Sequence, residues 1–448
     1  MPTLRSRRLE NLFGGPIDRT LTFEQVKGLI PNAGEGPDLD FKRDTYVTSG
    51  NGGHKGTKDL CGDIGGMANA SGGVIVLGID EDDQARASGY SPVDTTDEEC
   101  RRLRQTVYGN LFPMPAFDVV PVEDPKNPGM GFLVIWVART AGAPHAFAPQ
   151  GTGLHYPRRI GTEKDWLSEA EVAEAYRARF AGLADRLARV TEVEGELLPR
   201  LAPSKIFVLV TLVPDLPGAM TIDTAAFDTF RRGNANRQFG AFGIPMAGFT
   251  HSTVRRRRLV ATSSQTSNEV STGSACELHE DGCGVFATTI ESPIADNIER
   301  QEGLVDNNWL VLGIATALRR LGQHARDTAA AGGLANIRAT IWTGEDRPIA
   351  LVSNVGWRNE QVGHGLVHGA TSSDTVADLD DLATDGPGGV AATYRLVNGL
   401  FQEFGKPEAT LVSREGGIRI RYWHSSAHAD IRRWAEGAGV DILTDTLS

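Results

Sequence analysis

The chain has 448 residues, of which 40% are hydrophobic and 23% are charged. This composition is typical of a globular protein with two or three domains and excludes an extended disordered chain. The formal net charge of −12 excludes a general electrostatic attraction to nucleic acid, so any such contact needs a local basic surface. Apolar runs are of strand length and the four cysteines are too few for a disulfide framework, so we expect a soluble, cytoplasmic protein that is not membrane-bound.

The chain is predicted to open with an arm at 1–19 and a helix over 22–30, followed by a strand at Leu39–Lys42. The strand segment alternates apolar and charged residues, as a half-buried strand does. We therefore expect Asp40 and Lys42 to share the face of the strand that points away from the core.

A helix and a buried strand are predicted next. Apolar residues recur at helical spacing over 57–68, and the apolar run at 73–80 predicts a buried strand that ends at Asp80. A strand, a helix and a second strand in this order indicate a mixed or parallel sheet with a helix packed on it.

The remaining patterns divide the chain into two domains, joined by a charged amphipathic connecting helix or linker at 186–203. We expect an α+β fold, with a mixed sheet and packed helices at 20–185 and a second α+β domain at 204–448. Further helices are predicted at 96–110, 168–180, 309–331, 389–404 and 427–437, and further strands at 117–122, 131–139, 153–160, 206–213, 257–262, 284–289, 339–342 and 418–423.

Three carboxylates in the first domain, Glu35, Asp40 and Asp80, are candidates for a shared site. If the two strands lie side by side, these acids and Lys42 converge at one end of the sheet. Three oxygen ligands suit Mg²⁺ or Mn²⁺, and such a cation activates water and neutralises charge on a phosphodiester. The alternative is that these residues are ordinary acids at element ends and helix caps.

Several ordered motifs in this domain resemble the Schlafen/AlbA domain family. They are the acid-Phe-Lys strand LDFK at Leu39–Lys42, the helix and strand DLCGDIGGMANASGGVIVLGID at 59–80, and the distal segments PHAF at 144–147 and HYPRRIG at 155–161. In that family a helix ending in Ala-Asn-x-x-Gly-Gly precedes a strand ending in Gly-(Val/Ile)-x-Asp. The resemblance covers roughly residues 20 to 185.

The resemblance implies a metal-dependent endoribonuclease that cuts structured RNA such as tRNA, in bacterial defence or stress. Its metal ligands would be Glu35, Asp40 and Asp80. The strand face shared with Asp40, and not the resemblance, adds Lys42 as a catalytic candidate that could hold the attacking water or the phosphate. The family usually has Glu where this chain has Asp40, which shortens that ligand by one methylene. Animal Schlafens pair two lobes of this fold, so a chain with one lobe is expected to form a homodimer.

Candidate nucleic-acid contacts are basic residues in the first domain: Arg101, Arg104, Arg158 and Arg159. Basic clusters are more often solvated faces than binding sites, so each is an expectation only. The resemblance favours RNA over DNA as the partner. Two other functions stay open, namely a non-catalytic DNA- or RNA-binding regulator with a C-terminal sensor domain, and a purely oligomeric scaffold.

A zinc site at Cys276, His279 and Cys283 is a weaker possibility, because these three residues have no clear fourth ligand. The glycine-rich stretch at 50–58 lacks the Gly-Lys-Ser/Thr order of a Walker loop, so ATP binding has no support.

Overall fold

The computed structural model describes residues 7–15, 17, 19–31, 33–50, 52–148, 153–235, 238–263, 273–292, 302–345, 347–355 and 358–444. It divides into an N-terminal unit, Pro2–Ala184, and a C-terminal unit, Asp185–Ser448. The division falls inside one continuous helix, α5 (Glu169–Leu197), which combines the predicted helix at 168–180 with most of the predicted connecting helix or linker at 186–203. Strands and helices are present in both units, which confirms the α+β class.

The N-terminal unit contains four further helices and eleven strands among its described residues. They are α1 (Arg7–Phe13), β1 (Leu39–Lys42), β2 (Gly73–Leu77), β3 (Ile79–Glu81), β4 (Ala87–Tyr90), β5 (Val93–Asp94), β6 (Leu111–Phe112), β7 (Phe117–Asp124), β8 (Asn127–Val137), β9 (Ala146–Phe147), β10 (Pro157–Ile160), β11 (Glu163–Trp166), α2 (Phe23–Lys27), α3 (Gly53–Ala68) and α4 (Asp97–Tyr108).

A mixed sheet forms the centre of this unit, as the sequence predicted. Strands β1 and β2 pair in parallel, with Asp40 opposite Ile75, and helix α3 connects them. Strand β8 pairs in the antiparallel sense with β2, β5 and β7. The register places Asp40 on the same face of the sheet as Ile75, which is the face that α3 covers.

Each face of the sheet has its own apolar core. Leu39 and Phe41 belong to one core, which also contains Leu9 and Phe13 of the segment expected to be an arm. That segment is therefore part of the fold, because its apolar residues are buried against the sheet. The other core lies between the sheet and helices α3 and α4.

Helix α3 lies unusually close to its neighbours because it is rich in glycine. A Cβ at Gly56 would collide with the backbone carbonyl of Val47, and a Cβ at Gly65 would lie 2.8 Å from Pro157 Cγ of strand β10. Glycine at these positions therefore lets the preceding loop and the β10–β11 hairpin pack directly against the helix.

The C-terminal unit is built on a seven-stranded antiparallel sheet with the order β15-β16-β17-β18-β12-β20-β24. Its described elements are β12 (Ile206–Leu216), α6 (Thr224–Asn234), β13 (Gln238–Ala241), β14 (Ile244–Gly248), β15 (His251–Arg255), β16 (Arg258–Thr262), β17 (Ser274–His279), β18 (Gly284–Thr289), β19 (Gly303–Asp306), α7 (Asn307–Gln323), β20 (Gly332–Thr343), β21 (Pro348–Val355), β22 (Arg358–Gln361), β23 (Val367–His368), β24 (Thr371–Asp378), α8 (Leu379–Ala383), α9 (Pro387–Glu403), β25 (Ile418–Arg419), α10 (His428–Ala438) and β26 (Ile442–Leu443).

Alternating residues of the central strand β12 face two apolar clusters. Ile206 and Val208 pack with residues of helix α7 such as Ile314. Phe207 and Leu209 belong to the cluster on the opposite face. None of the helices in the described part of the chain is both long and apolar enough to cross a membrane.

Candidate metal and nucleic-acid site

Asp40 is the centre of a charged cluster at the end of β1. Its side chain is only 3% exposed, and both carboxylate oxygens are ion-paired. Arg159 Nη1 lies 3.0 Å from Asp40 Oδ1, and Lys42 Nζ lies 2.7 Å from Asp40 Oδ2. A buried carboxylate with two cations is electrostatically satisfied, so Asp40 serves here to hold Lys42 and Arg159 in place.

Arg159 is used inside the domain rather than on its surface. Besides its pairing with Asp40, it donates hydrogen bonds to the backbone carbonyls of Gly36 and Leu39, at 3.1 and 3.2 Å. Its side chain is 5% exposed. The expectation that Arg159 contacts nucleic acid therefore needs correction, because its guanidinium ties β10 to β1 and does not reach solvent.

Glu35 and Glu81 form a carboxyl pair next to Asp40. Glu35 Oε1 accepts a hydrogen bond from the backbone N–H of Phe41 at 2.7 Å. Burial raises the pKa of Glu35 to about 7, the backbone hydrogen bond opposes this rise, and the charges of Asp40 and Glu81 add to it. At neutral pH a proton is therefore partly retained on Glu35.

The Glu81 carboxyl group interacts with Glu35 through a side-chain hydrogen bond. Burial raises the pKa of Glu81, Lys42 opposes the rise, Asp40 adds to it, and a hydrogen bond with Glu35 lowers it again. Two carboxyl groups this close avoid mutual repulsion by keeping one proton between them or by binding a cation. The sequence did not single out Glu81, although it directly follows Asp80.

Lys42 supplies positive charge at the open side of the cluster. Burial alone would lower the pKa of Lys42, but the charge and hydrogen bond of Asp40 raise it above its ordinary value. Because its pKa is raised, the ammonium group stays protonated. Because the side chain is 37% exposed, the group is accessible to a ligand.

Asp80 lies apart from this pair. Its Oδ2 accepts a hydrogen bond from Ser91 Oγ at 2.8 Å, and its Oδ1 lies 3.5 Å from Arg43 Nε. The pairing of β3 with β4 shifts register between Asp80 and Glu81. This irregularity breaks the simple alternation of side chains along a strand.

The predicted convergence of Glu35, Asp40 and Asp80 on one point is accordingly not what the structure shows. Within the residues that the structure describes, the side-chain oxygens of these three acids do not all lie within 4.8 Å of one another. The charged groups that act on the pKa of Glu35 are Asp40, Glu81 and Lys42.

A second buried carboxylate, Asp63 of helix α3, lies beside the cluster. It accepts hydrogen bonds from Tyr46 Oη and Lys164 Nζ, both at 2.8 Å. Burial raises the pKa of Asp63, Lys164 opposes the rise, and Asp40 adds to it. The hydrogen bond from Lys164 links the β10–β11 hairpin to α3, and the one from Tyr46 links the loop after β1 to α3.

The other predicted nucleic-acid residues have different environments. Arg104 Nε bonds Asp118 Oδ1 at 2.9 Å, so it joins α4 to β7. Arg158 Nη1 lies 2.9 Å from Glu171 and remains one-third exposed. Arg101 is exposed on α4. Arg101 and Arg158 therefore stay candidates for contact with a polyanion, whereas Arg104 has a structural role.

The C-terminal unit contains a superficially similar group, Glu196, Glu277 and His279, whose ligand-type atoms lie within 4.8 Å of one another. Glu277 is fully buried and is paired with both Arg200 and Arg258. Arg258 also pairs with Glu196. Each carboxylate thus has a guanidinium partner, which leaves no excess negative charge for a metal ion to neutralise.

The arrangement of the cysteines likewise argues against a zinc site. Cys276 belongs to the core on one face of the seven-stranded sheet and Cys283 to the core on the other. His279 Nδ1 accepts a hydrogen bond from Arg189 Nη2 at 3.2 Å. Burial, reinforced by the charge of Arg189, lowers the pKa of His279 to about 4.

The carboxyl pair of the N-terminal unit does fit a divalent cation. Three acids, Glu35, Asp40 and Glu81, face two cations, Lys42 and Arg159, so one negative charge is uncompensated when all are ionised. Mg²⁺ typically takes one or two protein carboxylates together with water and substrate phosphates. The Glu35 and Glu81 oxygens are a donor set of that kind.

Comparison with known proteins finds one family model that matches part of the N-terminal unit. Residues 35–166 match the family model of the Schlafen AlbA_2 domain, which confirms the resemblance seen in the motifs. No curated protein matches the chain. The family match supports a nucleic-acid-related function for the N-terminal unit.

Two solved structures are similar to part of the chain. The DIP2311 protein from Corynebacterium diphtheriae is 22% identical, over 38% of this chain and 31% of that one, with a TM-score of 0.24. The N-terminal domain of a protein from Nitrosomonas europaea, described as related to the ATP-dependent DNA helicase RecG, is 19% identical, over 32% of this chain and 88% of that one, with a TM-score of 0.21. The chain thus spans less than a third of the DIP2311 chain.

Proposed function

We propose, from the premise that residues 35–166 belong to the Schlafen AlbA_2 domain family, that this protein is a metal-dependent endoribonuclease acting on structured RNA such as tRNA. The observation that carries the proposal is the Glu35–Glu81 carboxyl pair, in which the pKa of both groups is raised, beside the charged Lys42. A biological role in bacterial defence or stress belongs to the same proposal.

A divalent cation, Mg²⁺ or Mn²⁺, would be held by Glu35 and Glu81. When bound there, it supplies an activated water and neutralises charge on the scissile phosphate. Asp40 was expected to be a third ligand, but both of its oxygens are already ion-paired. We assign it a positioning role, because it fixes Lys42 next to the carboxyl pair.

Lys42 would act directly on the substrate. Its ammonium group is partly exposed, remains protonated and is anchored on Asp40. A cation at this position can stabilise the negative charge that develops on the phosphate oxygens in the transition state. It also offsets the repulsion between an acidic site and a polyanion.

The test is cleavage of total RNA by the full chain with Mn²⁺ or Mg²⁺, compared with Glu35→Gln, Glu81→Gln and Asp80→Asn variants. We expect the first two substitutions to abolish cleavage while RNA binding is retained, and Asp80→Asn to leave cleavage largely intact. Loss of cleavage in Asp80→Asn but not in Glu81→Gln would restore Asp80 as the third ligand. RNA binding without cleavage by the parent protein under either metal would favour the regulator hypothesis instead.

We also propose that the protein is a homodimer. Helix α5 exposes Phe180, Leu183 and Leu187, spaced three and four residues apart as in a coiled-coil seam. Light scattering at micromolar concentration should give twice the chain mass, and Phe180→Glu together with Leu187→Glu should give a monomer. A monomer mass for the parent protein, with and without RNA, would contradict this part of the proposal.

A further inference from the structure

A small polar cavity of about 50 Å³ lies in the C-terminal unit between helix α7 and strand β13. Four of its lining residues, Thr316, Arg319, Arg320 and Gln323, come from α7. Their spacing of three and four residues places them on one face of the helix. Phe239 of β13 lies on the opposite wall.

We propose that this cavity binds a small oxyanion, such as a phosphate or carboxylate group of a soluble ligand. The N-terminal nuclease proposal does not depend on it. Both guanidinium groups and the side-chain amide of Gln323 carry N–H donors, and the Thr316 hydroxyl adds an O–H donor. A cation would be repelled by the two arginines, and an apolar group would leave the Thr316 hydroxyl and Arg319 Nε without an acceptor.

Thr316 provides the first independent observation. Its side chain is 1% exposed, and its hydroxyl has no hydrogen-bond partner among the residues that the structure describes. A buried hydroxyl without a partner is unfavourable, and native structures usually satisfy it with protein, water or ligand. Because Thr316 lines the cavity, an oxygen atom bound there could accept a hydrogen bond from its hydroxyl group.

The two arginines provide the second observation. Arg320 lies over the ring of Phe239, 4.7 Å from the centroid, and donates to Asn234 Oδ1 at 3.3 Å. Arg319 Nη2 bonds Asp385 at 2.7 Å, while its Nε is buried without a hydrogen-bond partner in the described structure. Stacking and tethering hold both groups in fixed orientations, which reduces the entropy cost of binding an anion.

The size of the cavity limits what can bind. A volume of about 50 Å³ has room for a few water molecules or one compact anionic group, and not for a nucleotide or a peptide. The bound group is therefore the anionic head of a small ligand, with any remainder outside the cavity.

The experiment measures binding of inorganic phosphate, and separately of acetate, to the full chain by calorimetry and by the thermal unfolding midpoint, at constant ionic strength set with chloride. We expect saturable binding and a midpoint that rises with ligand concentration, as linkage requires. The ratio of the phosphate and acetate affinities identifies which oxyanion the cavity prefers.

The decisive variant is Thr316→Val, which removes the hydroxyl and keeps the shape of the side chain. We expect phosphate affinity to fall at least tenfold. Thr211→Val is the matched control, because Thr211 is also fully buried with a hydroxyl that has no described partner but does not line the cavity. It should bind phosphate as the parent does.

A second variant, Gln323→Leu, keeps the test valid if Thr316→Val does not fold. It should also weaken phosphate binding, because it removes a donor from the same wall. Absence of saturable binding of either anion to the parent protein would show that the cavity holds only water, and equal binding in Thr316→Val and Thr211→Val would place the anion elsewhere. Either result overturns the proposal.

Discussion

Each of the two units contains a group of acids, and the groups differ in how their charge is balanced. In the C-terminal unit Glu196 and Glu277 are matched by Arg200 and Arg258. In the N-terminal unit Lys42 and Arg159 both pair with Asp40, and the pKa values of the neighbouring Glu35 and Glu81 are raised.

This difference separates a structural ion-pair network from a site that can accept a cation. Proximity of ligand-type atoms alone would select the C-terminal group, because its members lie within 4.8 Å of one another. Charge balance selects the N-terminal pair, since an added divalent cation there replaces a proton and does not compete with a guanidinium. Four changes test the contrast.

The largest expected effect is on stability, in the C-terminal network. Glu277→Gln leaves Arg200 and Arg258, with side chains 9% and 15% exposed, without a buried counter-charge. Removing one partner of a buried ion pair typically costs about 3–5 kcal/mol. Chemical denaturation should show a loss of this size for Glu277→Gln and a change within about 0.5 kcal/mol for the exposed Glu81→Gln. Equal losses in the free energy of unfolding for Glu277→Gln and Glu81→Gln would contradict the proposed difference between the two acidic groups.

The next effect is on catalysis. Lys42→Met removes the accessible cation, while Arg159 still compensates Asp40 and preserves the fold. Loss of one group that stabilises transition-state charge typically lowers kcat by about 10²–10³-fold. Single-turnover cleavage should fall by this factor with little change in the Kd for RNA. Lys58→Met, at an exposed lysine of α3, is the control. If Lys42→Met lowers the affinity for RNA and the cleavage rate by the same factor, Lys42 contributes to binding only.

The third effect is a pH dependence of the metal-free protein. The pKa of Glu35 is about 7 in the folded chain and near 4.5 in the unfolded chain, so the folded state holds more protons between these values. The free energy of unfolding should therefore decrease as pH rises from about 4.5 to 7, by roughly 1 kcal/mol once solvent screening of this half-exposed group is allowed for. Glu35→Gln should remove this part of the slope. Superimposable profiles for the two proteins would contradict the assignment of the proton.

The smallest effect concerns RNA binding at the rim of the N-terminal unit. Replacing Arg101 and Arg158 with Ala should weaken RNA binding and lower the slope of log K against log salt concentration by about one unit per lost phosphate contact. Arg104→Ala should instead lower stability and leave the slope unchanged, since Arg104 bonds Asp118. An unchanged slope in the double variant would place the RNA surface elsewhere.

The sequence predicted much of the N-terminal unit because local patterns and motifs agree there. The alternation in Leu39–Lys42 correctly placed Asp40 and Lys42 together on the face opposite to Leu39 and Phe41, but that face is covered by α3 and does not point away from the core. Two features were not accessible to this reasoning. The register shift between Asp80 and Glu81 is not visible in the sequence, so Glu81 was not recognised as the acid that interacts with Glu35. The residues around Arg159 in the sequence also do not indicate that its side chain is buried.

The C-terminal unit was predicted less completely. Strands with continuous apolar runs, such as β12, were located, but β17 was not, because its sequence SACELH mixes polar and apolar residues although all are buried. The ion pairs of Glu277 join residues far apart in the chain. Such pairings depend on the strand order of the sheet, which periodicity does not encode.

Helix α3 has a consequence for the synthesis of the chain. Five of its sixteen residues are glycine, and each costs about 1 kcal/mol relative to alanine in a helix interior. Isolated helices of this length are marginal even without glycine, so α3 depends on its neighbours for stability. One of them, Pro157 of β10, is synthesised about ninety residues after Gly65. While a ribosome is producing the intervening segment, α3 lacks this contact, and the nascent domain should remain a target for proteases until β10 has left the exit tunnel.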